Sequence, residues 1–236
     1  MRADFAPRLY GRRKGKKLRP RQEALLRTSL PRVRIEPAPR GERLDPRRLF
    51  APATEAVWLE IGFGGGEHLA AQAKAQPALG FIGCEPYLNG IVKLLAEIAR
   101  EKLANLRIFP DDARPLLETL SPGSLACVIA LFPDPWPKTR HRRRRLIQKE
   151  TLDLLARAMA EGAELRLATD DEDYAAAMRE ELAAHGGFAG PEGGGEGFHE
   201  RPTGWPPTRY EEKALKAGRR PTYLVYRRRP HGARGA

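Results

Sequence analysis

Four carboxylates and one run of glycines are the residues whose types and spacing could do chemistry together. Gly62, Gly64, Gly65 and Gly66 lie in the stretch LEIGFGGGEHLA, where a short apolar run gives way to a helical period. Glycines at a strand-to-helix turn let the backbone approach a ligand closely, and the helix that follows offers unpaired N–H groups. Glu60 stands just before the turn inside a strand-like run, where a charge is costly unless it meets a donor such as a ligand's ammonium group. Glu85 follows the next apolar run, 25 residues on, where a carboxylate can accept both hydroxyl protons of a ribose. Asp112, with Asp111 as its rival, comes after a third run and is placed to accept from an adenine amino group. Plainer readings stand beside these: Glu85 as the cap of a helix starting near Tyr87, and Asp112 as the N-cap of one starting at Ala113.

The turn departs from a dinucleotide fingerprint, whose third glycine would fall where this sequence has Glu67. An anionic residue there repels a pyrophosphate, which counts against NAD. S-adenosylmethionine carries the same ribose, and its cationic sulfonium and amino-acid head tolerate acidic surroundings. The second informative stretch is FPDPWPK, residues 132–138. Pro133, Pro135 and Pro137 fix three φ angles and restrict the residues before them, which predicts a stiff loop holding Asp134 and Trp136 against a reacting base. Asp134 can accept hydrogen bonds from a purine and oppose positive charge, and Trp136 can stack or wall the pocket. A rigid turn with a packed Trp is the alternative.

Next comes KTRHRRRR, residues 138–145. Its last four arginines are expected in or beside the first turn of the following helix, where the macrodipole disfavours cations and a phosphate backbone would relieve them. Residues 1–50, 138–145 and 201–236 carry formal charges of +11, +6 and +8; with the whole chain at +12, the rest is −13. An acidic body with three basic segments fits a polyanion, most simply nucleic acid, although a solvated charge run or arm explains any one segment alone.

The elements that must position these residues follow from periodicity. Val57–Ile61, residues 79–84, Leu106–Phe109, residues 126–132 and residues 164–168 read as strands. A helix starts at about Glu67. Tyr87, Ile91, Leu94, Leu95 and Ile98 fall on one helix face, as do Ile147, Thr151, Leu154, Leu155 and Ala158. A last helix near residues 172–184 is followed by a glycine-rich loop at 186–197, and residues 222–227 alternate like an edge strand. This order predicts an α/β fold, a mostly parallel sheet covered on both faces. Residues 1–52 are rich in Arg and Pro without a clear period, which predicts a basic, partly disordered arm rather than a packed layer, with a short helix near residues 22–28. The body then spans residues 53–229, with a flexible tail at 230–236. Cys84 and Cys127 read as buried thiols, and the five histidines show no metal spacing, so no metal is expected. No apolar run approaches the roughly 20 residues of a membrane helix and the start lacks a signal-peptide core, so the expectation is a soluble, cytoplasmic chain. The acids at 170–173 resemble a helix start, and Tyr210 is as readily core as site.

In order across residues 57–227, the segments LEIGFGGG, GCEPY, DDA, FPDPWPKTRHRRRR, ATDDEDY and TRYEEKALKAG resemble the bacterial tRNA (guanine-N7-)-methyltransferase family, FPDPWPK and TRYEEK most specifically. The resemblance implies a Rossmann-like class I methyltransferase with seven strands, the last reversed. It implies methyl transfer from S-adenosylmethionine to N7 of a guanosine in the tRNA variable loop, conventionally position 46. Motif by motif, Glu60, Gly62, Gly64, Gly66, Glu85, Asp112 and Asp134 would bind the donor, Asp134 being also the catalytic carboxylate. Lys138, Asp170, Thr208, Arg209, Tyr210 and Glu211 would hold the guanosine, and Arg140, His141, Arg142, Arg143, Arg144 and Arg145 would contact RNA. Arg209 and Tyr210 stand where members often have Lys and Phe, which keeps charge and ring. The implied partner is tRNA, with no obligatory protein partner, the chain being a monomer or homodimer. Two rivals stay open: a methyltransferase of the same fold acting on a base amino group, and an RNA-binding protein with a vestigial donor pocket. A dinucleotide oxidoreductase is the weakest reading.

Overall fold

The computed structural model describes residues 13, 15–39, 41–52, 54–191 and 197–230. The strands are β1 (Val57–Ile61), β2 (Gly80–Cys84), β3 (Leu106–Phe109), β4 (Leu125–Leu131), β5 (Met159–Thr169), β6 (Phe188–Ala189) and β7 (Thr222–Arg228). Before β1 come α1 (Pro20–Thr28) and α2 (Leu30–Val33). Within the body, α3 (Glu67–Ala75), α4 (Leu88–Glu101), α5 (Ala113–Thr119), α6 (Lys149–Ala158) and α7 (Glu172–His185) each follow one of the first five strands, and α8 (Arg209–Lys216) precedes β7.

Apolar residues occupy successive strand positions because both faces of the sheet are covered. Val57, Leu59 and Ile61 of β1 join Val128, Leu165 and Tyr226 in one cluster with α5, α6 and α7. Phe81, Leu106 and Ile108 face the other way, against Leu69 of α3 and Leu94 and Leu95 of α4. The sheet order is β3-β2-β1-β4-β5-β7-β6. Every pairing from β3 through β5 is parallel, whereas β7 runs antiparallel to both β5 and β6. This is the class I methyltransferase arrangement with its last strand reversed. Residues 222–227, expected at an edge, lie instead inside the sheet, which explains why β7 is almost wholly buried.

Three further expectations are corrected. The arm forms a packed layer over much of its described length. Leu25, Leu26, Leu30 and Val33 lie against the α3–α4 cluster, and Ile35, 1% exposed, donates its N–H to the Ile108 carbonyl at 2.8 Å. Thus the outer edge of β3 is covered, which removes an open edge from the sheet. The fifth strand is longer than residues 164–168, beginning at Met159. Finally, the arginine run does not enter α6: residues Thr139–Arg144 form a separate 3-10 segment, and α6 starts at Lys149. The Tyr174 hydroxyl accepts the N–H groups of Leu146 and Ile147 at 3.0 and 3.2 Å, so these are satisfied outside a helix and the cations stay clear of the macrodipole's positive end. Residues 1–12, 192–196 and 231–236, within the expected arm, glycine-rich loop and tail, lie outside the described residues.

Candidate active site

After β1 the chain turns through Gly62, Gly64 and Gly66, at φ of +75°, +57° and +81°, before entering α3. Side chains at these angles would be strained. Gly90 is needed for a different reason: a Cβ there would lie 2.0 Å from the Gly64 carbonyl oxygen, so α4 can begin against the turn only with no side chain. Glu85, just past β2, fastens the two together. Its Oε2 accepts from Gly64 N–H at 2.7 Å and its Oε1 from Tyr87 N–H at 2.9 Å. Burial raises the Glu85 pKa, the two backbone hydrogen bonds oppose that, and Asp134 and Glu60 add to it. Glu85 is thus a cap on the N-cap residue of α4, and it also lines a cavity of about 410 Å³. The cavity lies where the strand order reverses around β1, the place at which open α/β sheets bind ligands.

Asp111 and Asp112 line the same cavity. Asp112 is the N-cap of α5, accepting from Arg114 N–H at 2.9 Å and pairing with its Nη1 at 2.8 Å, so the capping reading holds while the carboxylate still borders the cavity. Asp111 accepts from Asp112 N–H and pairs with Arg13 at 3.0 Å. Glu60 meets a donor from the protein itself: its Oε2 is 2.7 Å from His68 Nδ1, both side chains being buried. Cys84 borders the cavity as a buried thiol, its pKa pushed far up by burial and then by Asp112 and Glu85; Cys127 is buried too.

The opposite wall is the loop after β4. Phe132 and Trp136 have φ of +53° and +45°, uncommon for such side chains, and bracket Asp134. Phe132, Asp134 and Trp136 line the cavity. No hydrogen bond or ion pair reaches the Asp134 carboxylate among the described residues, and partial burial raises its pKa. Trp136 is walled by His141, edge-on at 5.8 Å, and by the Arg144 guanidinium, 5.0 Å above the ring. Arg145 ties the loop down: its Nε donates to the Pro135 carbonyl at 2.7 Å, its guanidinium lies 4.8 Å from the Tyr174 ring, and it pairs with Asp173.

The Methyltransf_4 family model, described as "Putative methyltransferase", matches residues 54–224. A tRNA (guanine-N(7)-)-methyltransferase of Rhodospirillum rubrum is 50% identical over 228 residues, covering 96% of this chain and 89% of that protein. A protein of the same name from Paramagnetospirillum magneticum is 48% identical, covering 94% and 93%. The chain belongs to the tRNA (guanine-N7-)-methyltransferase family. Among solved structures, the 16S rRNA methyltransferase KamB superposes with a TM-score of 0.51 at 18% identity, covering 75% of this chain and 89% of that one. A 16S rRNA (adenine(1408)-N(1))-methyltransferase variant of Catenulisporales acidiphilia gives 0.51 at 15% identity, covering 77% and 89%. These two likenesses concern the fold.

In this family member the remaining expected residues fall into two groups. Thr208, Arg209 and Tyr210 reach the site: α8 lies over the glycine turn, and a Cβ on Gly64 would be 3.2 Å from the Tyr210 ring, which is 52% exposed. Thr208 and Glu211 also form a capping box, the Thr208 hydroxyl accepting from Glu211 N–H at 3.0 Å and Glu211 Oε2 from Thr208 N–H at 3.3 Å. Glu211 is buried and accepts from Arg201 at 3.1 Å, so it holds the helix start in place. The spacing T-x-x-E announces such a box. Asp170 does not line the cavity and pairs with Arg219 at 2.6 Å.

Of the expected RNA-facing row, Arg140, Arg142 and Arg143 are exposed, Arg142 pairing with Asp173 at 2.9 Å, and Lys138, expected to hold the guanosine, is exposed beside them. Burial first, then Arg144 and Arg140, lowers the His141 pKa. Arg145 is a correction: at 4% exposure it faces inward, because the Pro135 carbonyl and Asp173 satisfy it there. Asp173, Tyr174 and His68 are site-building residues that residue types alone did not single out. A signal for His68 existed in its position, directly after Glu67 and eight residues from a buried acid.

Proposed function

We propose that this chain transfers the methyl group of S-adenosylmethionine to N7 of a guanosine in tRNA, at variable-loop position 46, in the cytoplasm and as a monomer or homodimer without an obligatory protein partner. The observation that carries this reading is Asp134, an acceptor with no partner among the described residues, held on a tied-down loop opposite a glycine turn across one cavity. The names of the two relatives above support the same reaction and substrate. The body at residues 53–229 would do the chemistry, and the basic arm and tail would flank it.

The residues fit the methyl donor. A cavity of about 410 Å³ is within the range of small-molecule sites. The place of a Cβ on Gly62 has nothing within 4 Å, so bare backbone faces open space. His68 Nε2 is buried without a hydrogen-bond partner among the described residues. Glu60, Glu85, Asp112 and the turn of Gly62, Gly64 and Gly66 would hold the donor, which when bound supplies an electrophilic methyl group on a cationic sulfur.

Guanine N7 carries an in-plane lone pair and no proton, so no general base is needed. The protein's part is alignment, for which effective molarities of about 10⁵ to 10⁸ M are attainable. The base becomes cationic as N7 gains the methyl group. Asp134 accepts from the purine N–H edge and opposes the growing charge, and Trp136 walls the base. Asp170, paired with Arg219 and outside the cavity lining, is given no contact with the base. Lys138 holds the guanosine, and Arg140, His141, Arg142 and Arg143 meet the phosphates. Incubation with labelled S-adenosylmethionine and unmodified tRNA transcript, followed by digestion and mass spectrometry, should give 7-methylguanosine from the variable loop. Methylation of an exocyclic nitrogen, or tRNA binding without transfer, overturns this reading.

A further inference from the structure

His68 is the second residue of α3, directly behind the glycine turn, and is 4% exposed. Its Nδ1 lies 2.7 Å from Glu60 Oε2, while Nε2 has no hydrogen-bond partner among the described residues. Folded interiors seldom leave a buried polar atom in that state, because its lost hydration is uncompensated. The ring lines a second, smaller cavity of about 90 Å³, which shares Gly62, Gly64, Tyr87 and Tyr210 with the larger one. A side chain with an unsatisfied nitrogen therefore borders a cavity next to the larger one, at the end of the site where Glu60 stands.

The hydrogen-bond chemistry fixes what that nitrogen wants. A carboxylate can only accept, so Glu60 requires the hydrogen on Nδ1, and in the neutral ring the lone pair then falls on Nε2. An acceptor backed by a carboxylate selects a cationic N–H donor. Of the two charged groups in the amino-acid head of the methyl donor, the ammonium has N–H to give and the carboxylate has none. We propose that His68 Nε2 accepts a hydrogen bond from the donor's α-ammonium group, with Glu60 holding the ring from behind. Glu60 would then act on the ammonium through His68, where its own position in β1 first pointed to direct contact. This assignment rests on the donor reading of the site given above. His68 is a positioning residue: it sets where the donor's head lies and so where the transferable methyl group points.

Calorimetric titration of the full chain with three adenosine ligands tests it. S-adenosylhomocysteine has the whole head, S-adenosyl-4-thiobutyrate lacks only the amine, and 5′-methylthioadenosine lacks the head. His68→Asn keeps an N–H for Glu60 and has no atom where Nε2 was. It should weaken S-adenosylhomocysteine binding by about ten- to a hundredfold, as expected for a hydrogen bond to a charged group, and leave the other two ligands within about twofold. Equal losses for all three ligands, or no loss for S-adenosylhomocysteine, overturn the proposal. In the unsubstituted protein, S-adenosylhomocysteine should move the His68 Nε2 resonance of ¹⁵N-histidine-labelled protein and the thiobutyrate should not, which decides the matter even if the variant misfolds. A resonance unmoved by S-adenosylhomocysteine overturns it. Failure of the unsubstituted protein to bind any of the three overturns the donor reading itself, and this assignment with it.

Discussion

Glu85 and Asp134 border one cavity and burial raises the pKa of both, yet the floor and the lip that present them are built differently. On the floor, Glu85 joins the glycine turn to α4 through two backbone N–H groups. On the lip, Asp134 joins nothing among the described residues, and the loop is held from behind by Arg145, Asp173 and Tyr174. The floor uses its carboxylate as a joint, so its shape is set before any ligand arrives. The lip moves the joint to α7 and keeps its carboxylate unengaged. A group that must orient a base in the transition state needs acceptor capacity the fold has not already used.

Asp134→Asn should produce the largest effect, a fall in turnover of about 10²-fold, with filter-binding affinity for tRNA nearly unchanged. Unchanged turnover would break the comparison, since the unengaged acid would then have no task. Arg145→Ala should cost about 2–3 kcal/mol in chemical denaturation, by leaving the Pro135 carbonyl and Asp173 without their donor, and should lower turnover through the loosened lip. On the floor, Glu85→Gln must turn its amide N–H toward Gly64 or Tyr87, at about 1–3 kcal/mol. Both acids bind a proton more readily in the folded chain than in the unfolded one. Between the ordinary carboxylate pKa and the raised folded values, stability therefore falls as pH rises, and above them it is level. Thermal melts across that interval should show the decline, and Glu85→Gln should flatten it. Thr208→Ala removes a cap and should cost about 1 kcal/mol, read in the same melts. The smallest effect belongs to the outer rim: Arg140→Ala or Arg143→Ala should reduce the salt slope of tRNA binding by about 0.7–0.9 for each phosphate left without its cation, whereas Arg145→Ala should leave that slope unaltered.

The floor was largely legible in the sequence and the supports of the lip were not. A glycine run between an apolar strand and a helical period has few structural solutions, and acids following successive strands must gather at one end of a parallel sheet. The proline spacing likewise announced a stiff loop around Asp134. Within the arginine run, however, nothing distinguishes Arg145 from Arg143, because inward and outward facing is decided by Asp173 and Tyr174, nearly thirty residues later in the chain. The arm misled for a similar reason: Leu25, Leu26, Leu30 and Val33 are separated by arginines and a proline that hide their shared face, and only the surface of α4 and β3 makes it useful. Thr208 and Glu211 stand out as site residues through resemblance alone, while their T-x-x-E spacing equally marks the start of a helix.

The place of β7 between β5 and β6 also bears on how the chain is completed during synthesis. Segments leave the ribosome in order, and the N-terminal portion of a domain is available to fold first. The five parallel strands can assemble as they emerge. Phe188–Ala189 cannot join them, since its sheet neighbour is made only later. A chain stopped short of Thr222 would present β5 as an open edge, with Leu165 and Leu167 stripped of the Tyr226 and Leu224 backbone that covers their flank. Nascent fragments of that length should therefore be prone to association, and release of the β7 segment is what turns an unfinished sheet into a closed one.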